Sequence, residues 1–152
     1  MKVFLAGIIQ GSLQAAAIHD QDWRQEIRDR IERHCPTAQV YCHYSEHPNS
    51  IHYDHDKMVQ TLTDGNRRAA AADVVVCWLP AASMGTAIEM YLAAQAGAAV
   101  LTITPMAANW VVRTYSDRVF ADLDAFESFL AAGELDGLLR AKRETSAKHH
   151  GG

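Results

Sequence analysis

The segment 83–89, Ser-Met-Gly-Thr-Ala-Ile-Glu, follows an apolar run and combines groups that could bind and cleave a ligand. It places the hydroxyl of Ser83, the small residue Gly85 and the carboxyl of Glu89 near a predicted helix N-terminus, where backbone amides bind anions. A structural explanation competes with this one, because Thr86 and Glu89 have the S/T-x-x-E spacing of a capping box. The residue pattern alone favours the capping box.

A second candidate segment follows the first apolar run and contains Gly7, Gln10, Gly11 and Ser12. Its small residues would allow backbone N–H groups to approach an anion. The segment fits neither the G-x-G-x-x-G fingerprint nor a Walker loop, so binding of a dinucleotide or a nucleoside triphosphate loses its usual support. We therefore expect no cofactor.

The polar segment 44–56 is rich in histidine and forms a third candidate. Imidazole and carboxylate groups here are of the kind that bind zinc or manganese, but their spacing matches no familiar ligand motif. We therefore favour a substrate-facing loop over a metal site. Within it, His52 and Tyr53 could stack on or hydrogen-bond a base, although packing within the loop is the slightly preferred explanation. The groups considered as metal ligands are His43, His47, His52, His55, Asp54 and Asp56.

The elements that position these segments alternate between short apolar runs and helical patterns, which is typical of a parallel sheet flanked by helices. We predict an α/β fold: a three-layer, doubly wound (Rossmann-like or flavodoxin-like) parallel sheet of four to five strands. In such a sheet, ligands bind beyond the carboxyl ends of the strands, where all three candidate segments would lie. The predicted strands are 3–9, 38–43, 73–79, 98–104 and a short edge strand at 118–121.

The helix after the first loop shows a four-residue periodicity, with Asp20 as its expected cap. Its apolar positions, predicted to face the core, are Trp23, Ile27 and Ile31. The charged positions predicted to face solvent are Arg24, Arg28 and Glu32. Further helices are predicted at 57–72, 86–96, 124–132 and 134–142, whereas the segment 110–115 is ambiguous.

Length and composition are those of one globular domain. The chain has 152 residues, of which 49% are apolar and 21% charged, and its formal net charge is -4. We expect a domain over residues 1–145 and a flexible tail over 146–152. The acidic balance argues against a nucleic-acid polymer as partner, although a single nucleotide remains possible. We find no signal peptide and no apolar stretch of membrane-spanning length, so no membrane partner and a cytoplasmic location are expected.

Three stretches together resemble the nucleoside 2-deoxyribosyltransferase superfamily. They are the opening Lys-Val-Phe-Leu-Ala-Gly at 2–7, Asp-Val-Val-Val at 73–76, and Gly85-Thr86-x-x-Glu89 followed by Tyr91, Ala93 and Gly-Ala-Ala-Val at 97–100. The likeness covers residues 1–104, about two thirds of the chain. It places the family's nucleophile at Glu89. Its second acid falls at Asp64, which stands 25 residues before Glu89 and nine before Asp73.

The resemblance implies cleavage of the N-glycosidic bond of a nucleoside. Glu89 would attack C1′ of the sugar, and Asp64 would handle the proton of the departing base. An aspartic acid against apolar surface meets the condition for donating a proton near neutrality. Asp64-Gly65 is also a common turn dipeptide, so a structural role is an even alternative before the resemblance is counted.

Ser83-x-Gly85 is similar to the nucleoside 5′-monophosphate N-hydrolases of this superfamily, since the transferases usually carry an acid at the position of Ser83. A hydroxyl and backbone amides can bind a phosphate that a carboxylate would repel. The first loop lacks the arginine of those hydrolases, so a neutral nucleoside stays open as substrate. The alternatives are a deoxyribosyltransferase that exchanges bases and a non-catalytic nucleotide sensor.

Asn109 and Trp110 follow the fourth predicted strand, where this superfamily commonly completes a neighbour's active site. We therefore expect a homodimer or a larger homo-oligomer and count Asn109 among the substrate-binding residues. A helix cap at Asn109 explains the residue equally well.

Overall fold

The computed structural model of the chain describes residues 1–149. Its five strands form one sheet in the order β2-β1-β3-β4-β5, and every neighbouring pair is parallel. This is the flavodoxin-like order of a doubly wound sheet, so the predicted fold class is confirmed. The strands are β1 (Lys2–Gly7), β2 (Gln39–Cys42), β3 (Val74–Trp78), β4 (Ala99–Ile103) and β5 (Arg118–Phe120).

Helices cover both faces of the sheet because alternate strand residues point to opposite sides. Val3 and Leu5 of β1 belong to a core cluster with α1, α6 and α7, whereas Phe4 and Ala6 belong to a second cluster with α3, α4 and α5. The helices are α1 (Trp23–His34), α2 (His43–Glu46), α3 (His55–Ala70), α4 (Met84–Gln95), α5 (Trp110–Tyr115), α6 (Leu123–Ala131) and α7 (Glu134–His149).

Several elements differ from the sequence-based expectation. The polar segment 44–56 contains most of α2 and a short 3-10 helix, Ser50–His52, and the ambiguous segment 110–115 is helical. Helix α7 continues to His149, so the tail expected from residue 146 is helical in its first part, and residues 150–152 lie outside the described residues. Among residues 1–149, no helix combines the length and the hydrophobicity needed to cross a lipid bilayer.

Gly7 ends β1 at a point where no larger residue fits. A Cβ atom at Gly7 would lie 2.5 Å from the Trp23 ring and 2.9 Å from the backbone oxygen of Trp78. Gly11 has a φ of 56°, in the left-handed region that favours glycine. These two glycines let the chain turn tightly from β1 into the loop that leads to α1.

Candidate active site

The central strands β1 and β3 form the topological switch point of the sheet. The chain leaves β1 for α1 on one face and leaves β3 for α4 on the other face. The two exits are adjacent, since the Ile8 amide donates a hydrogen bond of 3.3 Å to the Trp78 backbone oxygen. Ligands of doubly wound proteins bind in the crevice at such a point. The segment 83–89 and the segment with Gly7, Gln10, Gly11 and Ser12 therefore meet at this edge.

Helix α4 begins two residues earlier than predicted, and Ser83 caps it. The Thr86 amide donates to Ser83 Oγ at 3.4 Å, and the Thr86 hydroxyl donates to the same oxygen at 3.1 Å. Glu89 consequently lies in the second turn, not the first as expected. The capping box between Thr86 and Glu89 is ruled out, because Thr86 is inside the helix.

Gly85 is the second residue of α4, and the space beside it is open. A Cβ atom built there would meet no heavy atom within 4 Å, and its φ is not positive. Neither packing nor backbone conformation explains a glycine at this position. The open space adjoins the first amides of α4, which have no acceptor inside the helix.

Glu89 is half-buried. Burial raises the pKa of Glu89 from 4.5 to about 8, and the positive charge of Arg24 acts in the opposite direction. Within residues 1–149, its carboxyl makes no hydrogen bond and no ion pair. The site thus contains a carboxyl whose oxygens remain available.

Arg24 contradicts the prediction that it faces solvent, because its side chain is only 6% exposed. Its guanidinium lies 4.2 Å from the ring centre of Trp23 and 5.2 Å from that of Tyr44. It donates from Nε to Gln21 Oε1 at 2.7 Å and from one terminal nitrogen to the Leu5 backbone oxygen at 3.5 Å. Burial lowers its pKa, and Glu89 is among the groups that act against this shift.

The helical period assigns Arg24 to the solvent face because it considers only the sheet beneath α1. In the first turn of the helix, the neighbours are instead the ends of β1 and β2. The signal available in the sequence was Trp23-Arg24 at the start of a helix that follows a ligand-edge loop. Helix starts in doubly wound folds face the binding crevice.

Gln21 organises the loop between β1 and α1. Its amide nitrogen donates to the backbone oxygens of Ile8, His19 and Asp20 at 3.0, 2.9 and 3.1 Å. Because its amide oxygen accepts from Arg24, one side chain fixes both the loop and the guanidinium. Sequence reasoning did not single out Gln21.

The predicted binding residues Gln10 and Ser12 lie in this loop, and both are exposed. Their side chains form no hydrogen bond with the described residues. Together with Gly7 and Gly11, they border the edge at which Glu89 lies. The structure thus leaves their polar groups available to a ligand.

Asp64 lies on α3 and is not surrounded by apolar side chains as expected. Its carboxylate forms an ion pair of 2.8 Å with Arg67, and its side chain is 45% exposed. The negative charge of Asp64 acts to raise the pKa of His43, whereas the positive charge of Arg24 acts to lower it. Arg24 also acts to lower the pKa of Glu89. Asp64 therefore interacts with groups near Glu89 but has no recorded direct contact with Glu89 itself.

Gly65 of α3 packs against the His43 ring. A Cβ atom there would lie 3.4 Å from three atoms of this ring, an ordinary van der Waals contact, so space alone does not require glycine at this position. Burial lowers the pKa of His43 to about 4, helped by the positive charges of His47, Arg68 and Arg24. His43 is therefore neutral at physiological pH.

Two other side chains of the histidine-rich segment bind each other. His47 Nδ1 and the Tyr53 hydroxyl are joined by a hydrogen bond of 3.1 Å, and their rings pack edge to face. Tyr53 thus has the packed role that the sequence slightly favoured, whereas His52 is exposed. Across the described part of the chain, no three His, Cys, Asp or Glu side chains converge as metal ligands would.

Asn109 acts as the cap of α5. Its side-chain oxygen accepts hydrogen bonds from the Val111 and Val112 amides at 2.9 and 3.3 Å. This is the structural alternative considered from the sequence. The neighbouring Trp110 is 85% exposed, so this segment nevertheless projects an aromatic ring into solvent.

No protein-family model and no curated protein sequence matches the chain. Among solved structures, the 2-deoxyribosyltransferase of Bacillus psychrosaccharolyticus matches with a TM-score of 0.64 and 13% identity, covering 84% of this chain and 90% of that one. The chain shares the fold of this 2-deoxyribosyltransferase.

Two further structures match this fold with lower scores. A CMP N-glycosidase of Clostridium botulinum has a TM-score of 0.47 and 15% identity, over 86% of this chain and 97% of that one. A conserved protein of Enterococcus faecalis V583 has a TM-score of 0.49 and 20% identity, over 95% and 98%.

The raised pKa of Glu89 gives the variant Glu89→Gln a definite effect on stability. Since the pKa is about 8 in the folded chain and near 4.5 when unfolded, folding opposes ionisation of Glu89. Wild-type stability therefore falls, relative to the variant, as the pH rises from 4.5 to 8. We expect the Tm of Glu89→Gln to match that of wild type near the lower pH and to exceed it near the upper.

Thermal unfolding across this pH range measures the difference. Glu144→Gln, at an exposed position of α7, is the control and should show no such trend. A Tm difference for Glu89→Gln that is constant with pH would contradict the assignment of a buried carboxyl.

Proposed function

We propose that the chain hydrolyses the N-glycosidic bond of a nucleoside 5′-monophosphate or nucleoside and releases the free base, with Glu89 as nucleophile. One observation carries this proposal: a half-buried carboxyl at the switch point, its pKa raised by burial, has no hydrogen-bond or ion-pair partner among residues 1–149. Partial burial of an unpaired carboxyl costs folding free energy. The fold shared with a 2-deoxyribosyltransferase supports chemistry at a nucleoside's anomeric carbon.

In the proposed reaction, the Glu89 carboxylate attacks C1′ while the bond from C1′ to the base nitrogen breaks. The bonding electron pair leaves with the base, which takes a proton from Asp64. Water then cleaves the glycosyl ester, giving the sugar hydroxyl and restoring the Glu89 carboxylate. The remaining proton of that water returns to Asp64, so the cycle balances.

Asp64 is half-exposed and held by Arg67, itself a largely exposed side chain. A bound base would compete with Arg67 for the same carboxyl group. His43 packs next to this position and is neutral, so it can accept or donate a hydrogen bond. We therefore propose the base end of the substrate near Asp64, with His52 and Tyr53 beside it.

The phosphate or 5′-hydroxyl end is proposed at the start of α4. The first amides of the helix, at Met84 and Gly85, are unpaired within the helix and favour an anion. The Ser83 hydroxyl adds a polar group, and the loop with Gly7, Gln10, Gly11 and Ser12 faces the sugar. Since Asn109 caps α5, its proposed contact with substrate is limited to groups not used by the cap.

The proposal is tested by incubating the protein with a panel of ribo- and deoxyribonucleosides and their 5′-monophosphates. We expect free base from at least one monophosphate and at least a thousandfold less from Glu89→Gln, an order of magnitude typical for loss of a nucleophile. Chromatographic separation of base from nucleotide measures both rates.

The pH profile distinguishes the roles that Glu89 can have. A nucleophile must be ionised, so base release should rise with pH up to about 8. A rate that falls across this range would instead make Glu89 a proton donor. Diversion of product to a new nucleoside on adding a second base would identify a transferase, and binding without base release would identify a sensor.

The open space at Gly85 predicts a separation of stability from activity. Gly85→Ala should raise stability by up to about 1 kcal/mol, because alanine is the better helix former, yet weaken substrate binding. Gly137→Ala in α7 is the matched control, since a Cβ there also meets nothing within 4 Å. We expect chemical denaturation to show that both variants are more stable than wild type. We expect KM to rise only for Gly85→Ala. Equal KM values in the two variants would contradict a ligand beside Gly85.

We also propose that the chain is a homo-oligomer. The outer face of α4 presents Met84, Ile88 and Tyr91 with exposures of 82%, 44% and 45%, and Trp110 of α5 lies beyond it. Glu89 is the only charged residue of this helix. A helix that is apolar on all sides is normally covered on all sides. An uncharged face of this kind suits a second copy of the same surface.

Light scattering on the purified chain tests this proposal. Wild type should have at least twice the mass of one chain, and Ile88→Lys should shift the distribution toward monomer. Val119→Lys on β5 is the control, because this residue is similarly exposed (39%) but lies away from α4. A monomeric wild type, or equal effects of both substitutions, would count against the interface.

A further inference from the structure

The thiol of Cys42, the last residue of β2, is in direct contact with Arg24, the second residue of α1. A terminal nitrogen of the guanidinium donates a hydrogen bond to Cys42 Sγ at 3.4 Å. Sulfur accepts at longer distances than oxygen because its radius is larger. Cys42 is 3% exposed and Arg24 is 6% exposed. The contact therefore lies in the interior, where charges are screened less than in water.

The other hydrogen-bond acceptors of Arg24 cannot become anions. They are the side-chain amide oxygen of Gln21 at 2.7 Å and the backbone oxygen of Leu5 at 3.5 Å. Burying a guanidinium without an anion costs folding free energy. Among the groups that accept a hydrogen bond from Arg24, only the Cys42 thiol can lose a proton and supply a negative charge.

The surroundings of Cys42 favour this ionisation. Burial alone would raise the pKa of the thiol, but the charge of Arg24 and the hydroxyl and amide of Ser45 act in the opposite direction. Their combined effect outweighs burial, so the pKa of Cys42 lies below its ordinary value.

The two other cysteines show what the same side chain does without such a cation. Burial raises the pKa of Cys35, and the negative charge of Asp136 adds to this shift. Burial likewise raises the pKa of Cys77, and Glu89 acts in the same direction. The direction found for Cys42 therefore depends on its neighbours and is not a general effect of burial in this fold.

Titratable groups of other elements also act on the two side chains. Glu89 on α4 and Tyr44 on α2 act on Arg24, but both act less strongly than Cys42 does. Tyr41 on β2 is influenced by Cys42, and burial raises the pKa of its phenol, which therefore stays neutral at physiological pH.

We propose that Cys42 and Arg24 form a buried thiolate–guanidinium pair that joins the end of β2 to the start of α1. Ionisation of Cys42 transfers the thiol proton to water and leaves the negative charge on Sγ, beside the guanidinium. Cys42 is thereby a positioning residue, because helix α2 and the histidine-rich segment follow it directly in the chain. The pair forms without substrate and does not depend on the function proposed above.

The direct test is a pH titration of the wild-type chain labelled with ¹³C at the cysteine Cβ atoms. Cys35→Ser and Cys77→Ala assign the three resonances and leave the pair intact. The midpoint of Cys42 should lie below 9 and that of Cys35 above it. A Cys42 midpoint equal to or above that of Cys35 would overturn the proposal, and this comparison needs no substitution within the pair.

Substitution of Arg24 tests the source of the effect. In Arg24→Gln, the Cys42 midpoint should rise toward that of Cys35, and Arg24→Lys should give a smaller rise because it keeps the charge. Arg28→Gln is the matched control, since Arg28 lies one turn further along α1 and interacts with Glu32 and the Val40 oxygen. Equal Cys42 midpoints in Arg24→Gln and Arg28→Gln would contradict the pair.

Thermal unfolding gives an independent readout with opposite signs for two cysteines. The pKa of Cys42 is lower in the folded chain than its unfolded value of 9, so wild type should gain stability relative to Cys42→Ser as the pH rises toward 9. The pKa of Cys35 is raised, so wild type should lose stability relative to Cys35→Ser as the pH rises through 9. Trends of the same sign would count against the pair.

A comparison of Cys42→Asp with Cys42→Asn isolates the negative charge, because the two side chains are nearly equal in size. Beside a guanidinium, the aspartate variant should have the higher Tm at neutral pH and should lose this advantage in the Arg24→Gln background. A higher Tm for Cys42→Asn at neutral pH, or an advantage of aspartate that persists without Arg24, would show that Arg24 does not pair with an anion at this position.

Discussion

The site depends on the opposition between burial and charge at the carboxyl edge of β1 and β3. Desolvation favours the neutral form of Glu89, and the positive charge of the buried Arg24 opposes this shift. Neither side chain has a carboxylate or ammonium partner in direct contact among residues 1–149. Both are held in place by other parts of the fold: Arg24 by Gln21 and the rings of Trp23 and Tyr44, and Glu89 by the helix that Ser83 caps.

Much of the architecture could be predicted from the sequence because it follows from backbone physics. The apolar runs that became β1, β3 and β4 are buried on both faces, as strands of a covered parallel sheet must be. The rule that ligands bind beyond the carboxyl ends of such strands then selected the loops on either side of the switch point. For the same reason the neighbourhood of Glu89 was identified, although the pattern alone did not separate a catalytic carboxyl from a capping box.

The remaining features depend on tertiary contacts that a one-dimensional pattern does not contain. The helical period places Arg24 on the outer face of α1. In the structure it is instead enclosed by the ends of β1 and β2 and by two aromatic rings. The surroundings of Asp64 were also mispredicted, although the spacing of Asp64 and Arg67 already permits an ion pair on one helical face. Gly65, a weak residue for a helix interior, packs against the His43 ring, a tertiary contact that the sequence pattern does not contain.

A cation at some distance serves a nucleophilic carboxylate better than a direct salt bridge would. A bidentate pair with Arg24 would occupy the oxygens of Glu89 and hold them away from an electrophile. A guanidinium without direct contact still favours ionisation, because its field is screened less in low-dielectric protein than in water. It leaves the lone pairs of the carboxylate unoccupied. In the reaction proposed above, the positive charge that develops on the sugar would then interact with Glu89 more strongly in the transition state than before it.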